Sequence, residues 1–242
     1  HTRAAKRPIV RVGRGDYDGR GCSRRLVRAT QESPTSPALG CLVSPMSSPP
    51  ALPTRTLAEK RSALLRLLSG LGRVAVAFSG GVDSAVVAKA AALACQENAL
   101  AVTAVSGSLA SGELEEARQL AALVGIRHVA LETREFEDPN YLKNAPNRCY
   151  FCKTELYSQV AAHMADWGCD VIVNGANADD RGDYRPGMTA AAEHAVRSPL
   201  MELELNKADV RELARDWGLP LWDKPASPCL SSRLAYGLSV TP

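Results

Sequence analysis

A chain of 242 residues, 45% of them hydrophobic, can bury one large α/β core with appendages or two small ones. Only 5% are aromatic, so Ala, Leu and Val carry the apolar load; that favours helices on a buried parallel sheet over an aromatic-rich β-sandwich. The net charge of +3 is uneven: residues 1–32 hold nine basic and three acidic side chains, leaving 20 basic and 23 acidic elsewhere. The body is therefore slightly acidic, and a nucleic-acid-binding face cannot be read from the total charge. Seven cysteines are too few for a disulfide scaffold. No apolar run reaches the roughly 18 residues of a membrane span, and a cytoplasmic, reducing location is expected.

Residues 1–52 mix Arg, Gly, Ser and Pro without periodicity and run into Ser-Pro-Met-Ser-Ser-Pro-Pro. Such a segment cannot offset its chain entropy, so it is expected to be a disordered leader or a non-native extension, with Cys22 and Cys41 inert. Its Arg content suits a targeting leader, but it lacks a signal-peptide apolar stretch, and Asp16 and Asp18 argue against a transit peptide.

Regular structure is predicted from Thr56. Thr56-Leu57-Ala58-Glu59 is a capping box, and Leu57, Leu64, Leu68 and Leu71 form one helical stripe closed by Gly70 and Gly72. Then come a short buried strand over Val74–Phe78, a helix over Ser84–Cys95 and a strand over Leu100–Ser106. A helix over Glu113–Leu123 closed by Gly125 leads to a strand over Arg127–Leu131. A helix over Lys153–Trp167, a strand over Asp170–Asn174 and a helix over Lys207–Trp217 complete the series. The alternation predicts a doubly wound parallel sheet with helices on both faces and ligand at the carboxyl ends of the strands. The expected domains are 53–205 for nucleotide binding and a C-terminal segment, 206–242, carrying Cys229 and Arg233.

Strand, Ser79-Gly80-Gly81-Val82-Asp83-Ser84, then helix is a phosphate-binding arrangement. Gly80 and Gly81 let the backbone approach an anion, and the N–H groups opening the next helix favour a phosphate there. Ser79 and Ser84 offer hydroxyls, and Asp83 suits Mg²⁺ beside a pyrophosphate. The Gly-Lys-Ser/Thr ending of a Walker loop is absent. This hexad resembles the PP-loop ATP pyrophosphatases, a group with GMP, NAD and asparagine synthetases and tRNA thiolation enzymes. The resemblance implies that ATP activates a carboxylate or carbonyl oxygen as an adenylate, releasing pyrophosphate. After the fourth strand, Gly175-Ala176-Asn177-Ala178-Asp179-Asp180 resembles a segment that lies near nucleotide and metal in that group, so Asp179 and Asp180 join Asp83 as Mg²⁺ candidates and Gly175 as a nucleotide contact. Ser106, ending the second strand, is a candidate for the adenine pocket.

Cys149-Tyr150-Phe151-Cys152 is a C-x-x-C pair, and Cys229 follows at a distance. Three thiolates can hold one soft metal centre. A redox pair is a second reading, and zinc would need a fourth ligand such as His163 or Cys169. Cys95 and Cys169 read as small buried hydrophobes.

Asn147-Arg148-Cys149-Tyr150-Phe151-Cys152-Lys153 resembles the ATP-dependent sacrificial sulfur transferases, the LarE family. So do Asp183-Tyr184-Arg185-Pro186-Gly187, Val196-Arg197-Ser198-Pro199-Leu200, and Asp223-Lys224-Pro225 leading into Cys229-Leu230-Ser231-Ser232-Arg233. The likeness runs from about Leu57 to Gly237. It implies adenylation of a carboxylate of pyridinium-3,5-biscarboxylic acid mononucleotide and its conversion to a thiocarboxylate, on the way to the nickel-pincer cofactor of lactate racemase. Some members surrender the sulfur of the cysteine matching Cys229, leaving dehydroalanine. Others also carry the C-x-x-C pair and hold a 4Fe–4S cluster, so the resemblance makes Cys149, Cys152 and Cys229 the catalytic and cluster-binding candidates. It further implies Ser232 and Arg233 for the substrate phosphate, and Arg185 and Arg197 for the substrate or its acyl-adenylate. Family members continue past the point matching Tyr236-Gly237, so the chain ending at Pro242 is expected to lack a short segment. The expected partner is the small pyridinium mononucleotide, with no membrane and no nucleic acid; a homo-oligomer is left open. The competing expectation is a tRNA thiolation enzyme with a three-cysteine cluster.

Overall fold

The computed structural model describes residues 55–241 apart from Asp183 and Ala226; the expected leader, 1–52, lies outside the described residues. Contacts divide the chain into His1–Ala51 and Leu52–Pro242, and the second unit is the one described.

Helix α1 (Leu57–Ser69) opens on the predicted capping box, with Glu59 N–H donating to Thr56 Oγ1 at 3.3 Å and Thr56 N–H to Glu59 Oε2 at 2.7 Å. There follow β1 (Val74–Ala77), α2 (Val82–Cys95), β2 (Ala99–Val105), α3 (Glu113–Val124) and β3 (Arg127–Glu132). A short α4 (Pro139–Leu142) leads into α5 (Arg148–Trp167), then β4 (Val171–Val173), α6 (Pro186–Glu193), α7 (Pro199–Glu202) and α8 (Lys207–Asp216). The strands are all parallel, in the order β3-β2-β1-β4.

Side chains alternate across this sheet as the pleat requires. Val74 and Val76 face a core built with α1, α2, α3 and α8, where Leu64, Leu68, Leu213 and the alanines of α2 pack. Ala75, Leu100, Val102 and Ile172 face the other way, onto Leu156, Tyr157 and Val160 of α5 and Ala190 and Ala191 of α6. The sheet is doubly wound, as the alternation of elements predicts.

Three differences from the sequence reading matter for the site. Helix α5 begins at Arg148 rather than Lys153, which puts Cys149 and Cys152 in its first two turns. Cys, Tyr and Phe are weak helix formers, and packing of Arg148 overrides that preference. Helices α4, α6 and α7 were not anticipated, though each carries Pro at its start, the position where a missing N–H costs nothing. Strand β4 is shorter than expected at both ends. Asp170 is drawn to Arg73 by a 2.8 Å ion pair, and Asn174 N–H donates to the Arg197 carbonyl at 2.9 Å.

Candidate active site

At the carboxyl ends of β1 and β2 lies a cavity of about 410 Å³. One wall is Ser79, Gly80, Gly81, Val82 and Asp83; the opposite wall holds Cys149, Cys152, Lys153 and Cys229. Gly80 has φ +75°, a left-handed turn open to glycine, and Gly81 caps α2 with no side chain between the first turn and a ligand. The loop is stapled from within. Ser84 Oγ, 5% exposed, donates to the Gly81 carbonyl at 2.9 Å and accepts from Ser79 N–H at 3.3 Å, while Ser79 Oγ touches it at 3.2 Å. Ser84 therefore shapes the loop, and the backbone presents the donors.

Gly175 does not line the cavity. A Cβ there would meet Ser84 N at 2.7 Å and Asp83 C at 2.9 Å, so the end of β4 passes against the start of α2 only because this residue has no side chain. Ser106 also stands back from the wall: its hydroxyl donates to Glu135 Oε1 at 2.5 Å, and Glu135 and Ser108 line the cavity instead.

The three candidate carboxylates are each engaged by a neighbour, Asp83 and Asp179 through Lys207 and Asp83 and Asp180 through Asn177. Asp83 accepts from Lys207 Nζ at 2.5 Å and from Asn177 Nδ2 at 3.1 Å. Asp179 accepts the backbone N–H of Lys207 at 2.9 Å, at the start of α8. Asp180 faces Arg185 at 2.6 Å and closes its own turn on Asn177 N–H. A side-chain ammonium thus occupies the cation position at Asp83, and this donor set does not fit a Mg²⁺ held by the three.

The cysteine wall is assembled from segments about 80 residues apart. Arg148, only 3% exposed, joins them. Its Nη1 donates to Asn144 Oδ1 and to the Ser231 carbonyl, and its Nη2 donates to Ser232 Oγ at 2.8 Å and approaches Cys149 Sγ at 4.0 Å. Ser232 Oγ lies 3.1 Å from Cys229 Sγ, close enough for a hydrogen bond in either direction. Asn144 Nδ2 donates to the carbonyls of Ala235 and Leu238, and Tyr141 Oη meets Ser231 Oγ at 2.7 Å. Burial pushes the Tyr141 hydroxyl up to about 12. It likewise pushes the Cys152 thiol up to about 12, with Lys153 pulling the other way and the neighbouring Glu135, Cys229 and Cys149 adding to the rise.

Cys149, Cys152 and Cys229 are all free thiols on one cavity wall. Among the described residues no three His, Cys, Asp or Glu side chains converge closely enough for a single ion. His163 is no fourth ligand: it bonds the Gln159 carbonyl and stacks on Trp167, 11 residues along α5 from Cys152, about 16 Å at helical rise. Cys169 is buried in the α5 core.

The remaining candidates lie off the cavity wall. Arg197 is bound bidentately to Glu202, at 2.7 and 2.5 Å, and its guanidinium holds the Glu202 carboxyl below the usual range. Arg185 faces Asp180, and the exposed Arg233 donates Nε to the Pro228 carbonyl at 3.2 Å. Arg148, Lys153, Lys207, Lys224 and Glu135 were missed as site residues. Arg148, Lys153 and Lys224 stood inside the quoted motifs, whereas nothing local marked Glu135 or Lys207.

Comparisons with known proteins give the family and the fold. The asparagine synthase family profile matches residues 61–166. An uncharacterized protein, slr1717, of Synechocystis sp. is 47% identical over 185 residues, 76% of this chain and 69% of its own. The pyridinium-3,5-bisthiocarboxylic acid mononucleotide synthase of Lactiplantibacillus plantarum is 37% identical over 187 residues, 77% of this chain and 68% of its own. The chain belongs to that synthase family, the LarE family. Membership places it among ATP-dependent enzymes of the PP-loop class. The fold is likewise that of the NH3-dependent NAD synthetase of Campylobacter jejuni, with a TM-score of 0.56 at 19% identity, covering 70% of this chain and 78% of that one. Among the described residues no helix is long and apolar enough to cross a membrane.

Proposed function

We propose that this LarE-family chain adenylates a carboxylate of pyridinium-3,5-biscarboxylic acid mononucleotide with ATP and replaces the activated oxygen by sulfur, giving a thiocarboxylate for a nickel-pincer cofactor. The observation that carries this reading is the cavity itself, with the phosphate loop on one wall and three free thiols on the other. ATP would lay its phosphates on the N–H groups at the start of α2, where the helix dipole favours negative charge. The substrate carboxylate then attacks the α-phosphorus, pyrophosphate leaves, and the acyl-adenylate faces the thiols. Mg²⁺ would arrive with the nucleotide.

Cys149, Cys152 and Cys229 would hold a 4Fe–4S cluster through three thiolates, and such a cluster supplies an iron able to carry an exogenous sulfide. Arg148 keeps the two cysteine segments in register, and Ser232 orients Cys229. Ser232 and Arg233 remain the proposed contacts for the substrate phosphate, with Arg185 and Arg197 nearer the surface. Five free thiols among the described residues suit the cytoplasm, and lactate racemase maturation is the expected use. A tRNA substrate finds less support, because the body outside residues 1–32 carries 20 basic against 23 acidic side chains.

The test is anaerobic purification with measurement of iron and the visible spectrum, followed by addition of ATP, Mg²⁺ and the biscarboxylate nucleotide. AMP, pyrophosphate and thiocarboxylate are expected. A colourless protein whose Cys229 loses the mass of hydrogen sulfide would remove the cluster and keep the sulfur transferase. RNA-dependent AMP formation would replace the substrate.

A further inference from the structure

Three lysines line the cavity, and they are not alike. Lys207 is paired with Asp83 at 2.5 Å and Lys224 with Glu116 at 2.8 Å. Lys153 has neither a hydrogen bond nor a carboxylate partner among the described residues; its electrostatic neighbours are Tyr157, Cys152, Cys149 and Cys229. A lysine on the cavity wall with no carboxylate of its own is available to an anionic ligand.

The stem of Lys153 is held in place. A Cβ on Gly187 would meet Lys153 Cγ at 3.1 Å, so α6 crosses this side chain at a residue chosen for having none. Lys153 also follows Cys149 by four positions on α5, so both project from one helix face. Lys153 therefore lines the same cavity as the three thiols and the phosphate loop, the space an acyl-adenylate has to occupy for sulfur to reach it.

We propose that Lys153 is a catalytic residue of the sulfur-transfer half-reaction, its Nζ donating to the acyl oxygen of the bound acyl-adenylate and holding the negative charge that develops there. This rests on the function proposed above. The sulfur nucleophile, the Cys229 thiolate or a hydrosulfide ion, forms the C–S bond with its own electron pair, and the carbonyl π pair moves onto oxygen beside Lys153. Collapse reforms the C=O bond and breaks the bond from carbon to the phosphate oxygen, so AMP leaves with that pair. A hydrosulfide yields the thiocarboxylate after losing its proton to water. A Cys229 thiolate yields a thioester, which is released when the Cα proton is lost and the Cβ–Sγ bond breaks, leaving dehydroalanine. No oxidant or reductant is needed.

The decisive variants are Lys153→Met, which keeps the stem under Gly187, and Lys153→Arg. Thiocarboxylate formation should fall about 10²–10³-fold in Lys153→Met, the loss typical of one oxyanion donor. Pyrophosphate release dependent on the biscarboxylate nucleotide should fall less than about tenfold, and Lys153→Arg should recover at least about tenfold of the lost sulfur transfer. A non-reactive acyl-sulfamate analogue of the adenylate, measured by calorimetry, should bind Lys153→Met about tenfold more weakly, while ADP affinity holds within about twofold. Equal losses in the two half-reactions, or a sulfur-transfer loss below about threefold, would overturn the assignment. If the unaltered protein releases no pyrophosphate with the biscarboxylate nucleotide, the proposed function fails and this role goes with it. An active unaltered protein beside an unimpaired Lys153→Met sinks the lysine alone.

Discussion

The two walls of the cavity are built in different ways. The phosphate wall is local: Ser79 to Ser84 turn in six residues, staple themselves through Ser84, and offer backbone donors that no side chain needs to aim. The thiol wall is assembled. Cys149 and Cys152 come from the first two turns of α5, Cys229 from a segment about 80 residues later, and the buried Arg148 guanidinium holds them together. A local loop tolerates side-chain loss but not crowding. An assembled wall tolerates crowding but not the loss of its tie.

The largest effect is expected at the assembled wall. Cys229→Ala should lower thiocarboxylate formation by about 10³-fold or more while pyrophosphate release continues, read by quantifying both products in one reaction. Next, Arg148→Met leaves Asn144 Oδ1 and the Ser231 carbonyl without their charged donor. A loss of about 3 kcal/mol in denaturant unfolding is expected, with earlier proteolytic cutting in residues 228–241. Unchanged proteolysis there would mean that the guanidinium is not the tie.

At the local wall, crowding is the test. Gly175→Ala forces a methyl to within 2.7 Å of Ser84 N, which is backbone and cannot swing away. About 1–3 kcal/mol of stability should be lost, and ATP affinity should fall with it. An equal fall in stability at unchanged ATP affinity would separate packing from binding.

The smallest effect is a pH dependence beneath the loop. His128 Nε2 lies 2.8 Å from Thr103 Oγ1, which donates to the Phe78 carbonyl at 2.8 Å, so the ring must give its Nε2 proton to Thr103. Burial, with Arg118 adding, lowers the His128 pKa from the ordinary 6.5. A folded pKa below the unfolded one means stability is complete above about pH 6.5 and declines as the pH falls through the folded value. The melting temperature of the unaltered chain should drop by a few degrees on acidification from pH 7.5 to pH 5.5, and His128→Gln should flatten that slope.

The sequence by itself determined the elements whose signals are short-range. The Thr56 capping box, the Val-rich strands, the glycines closing α1 and α3, and the phosphate hexad all depend on neighbours within a few residues, and the doubly wound order followed from them. Its linked motifs also carried the family. What it could not decide is which polar groups are already spent. Arg197, Asp180, Ser84 and Ser106 have the chemistry of ligand contacts, yet Glu202, Arg185, the loop backbone and Glu135 claim them. Arg148 and Lys153 read as ordinary cations flanking a C-x-x-C pair. Only tertiary structure buries one as a brace and leaves the other unpaired on the cavity wall, because pairing and burial arise from residues far apart in the chain.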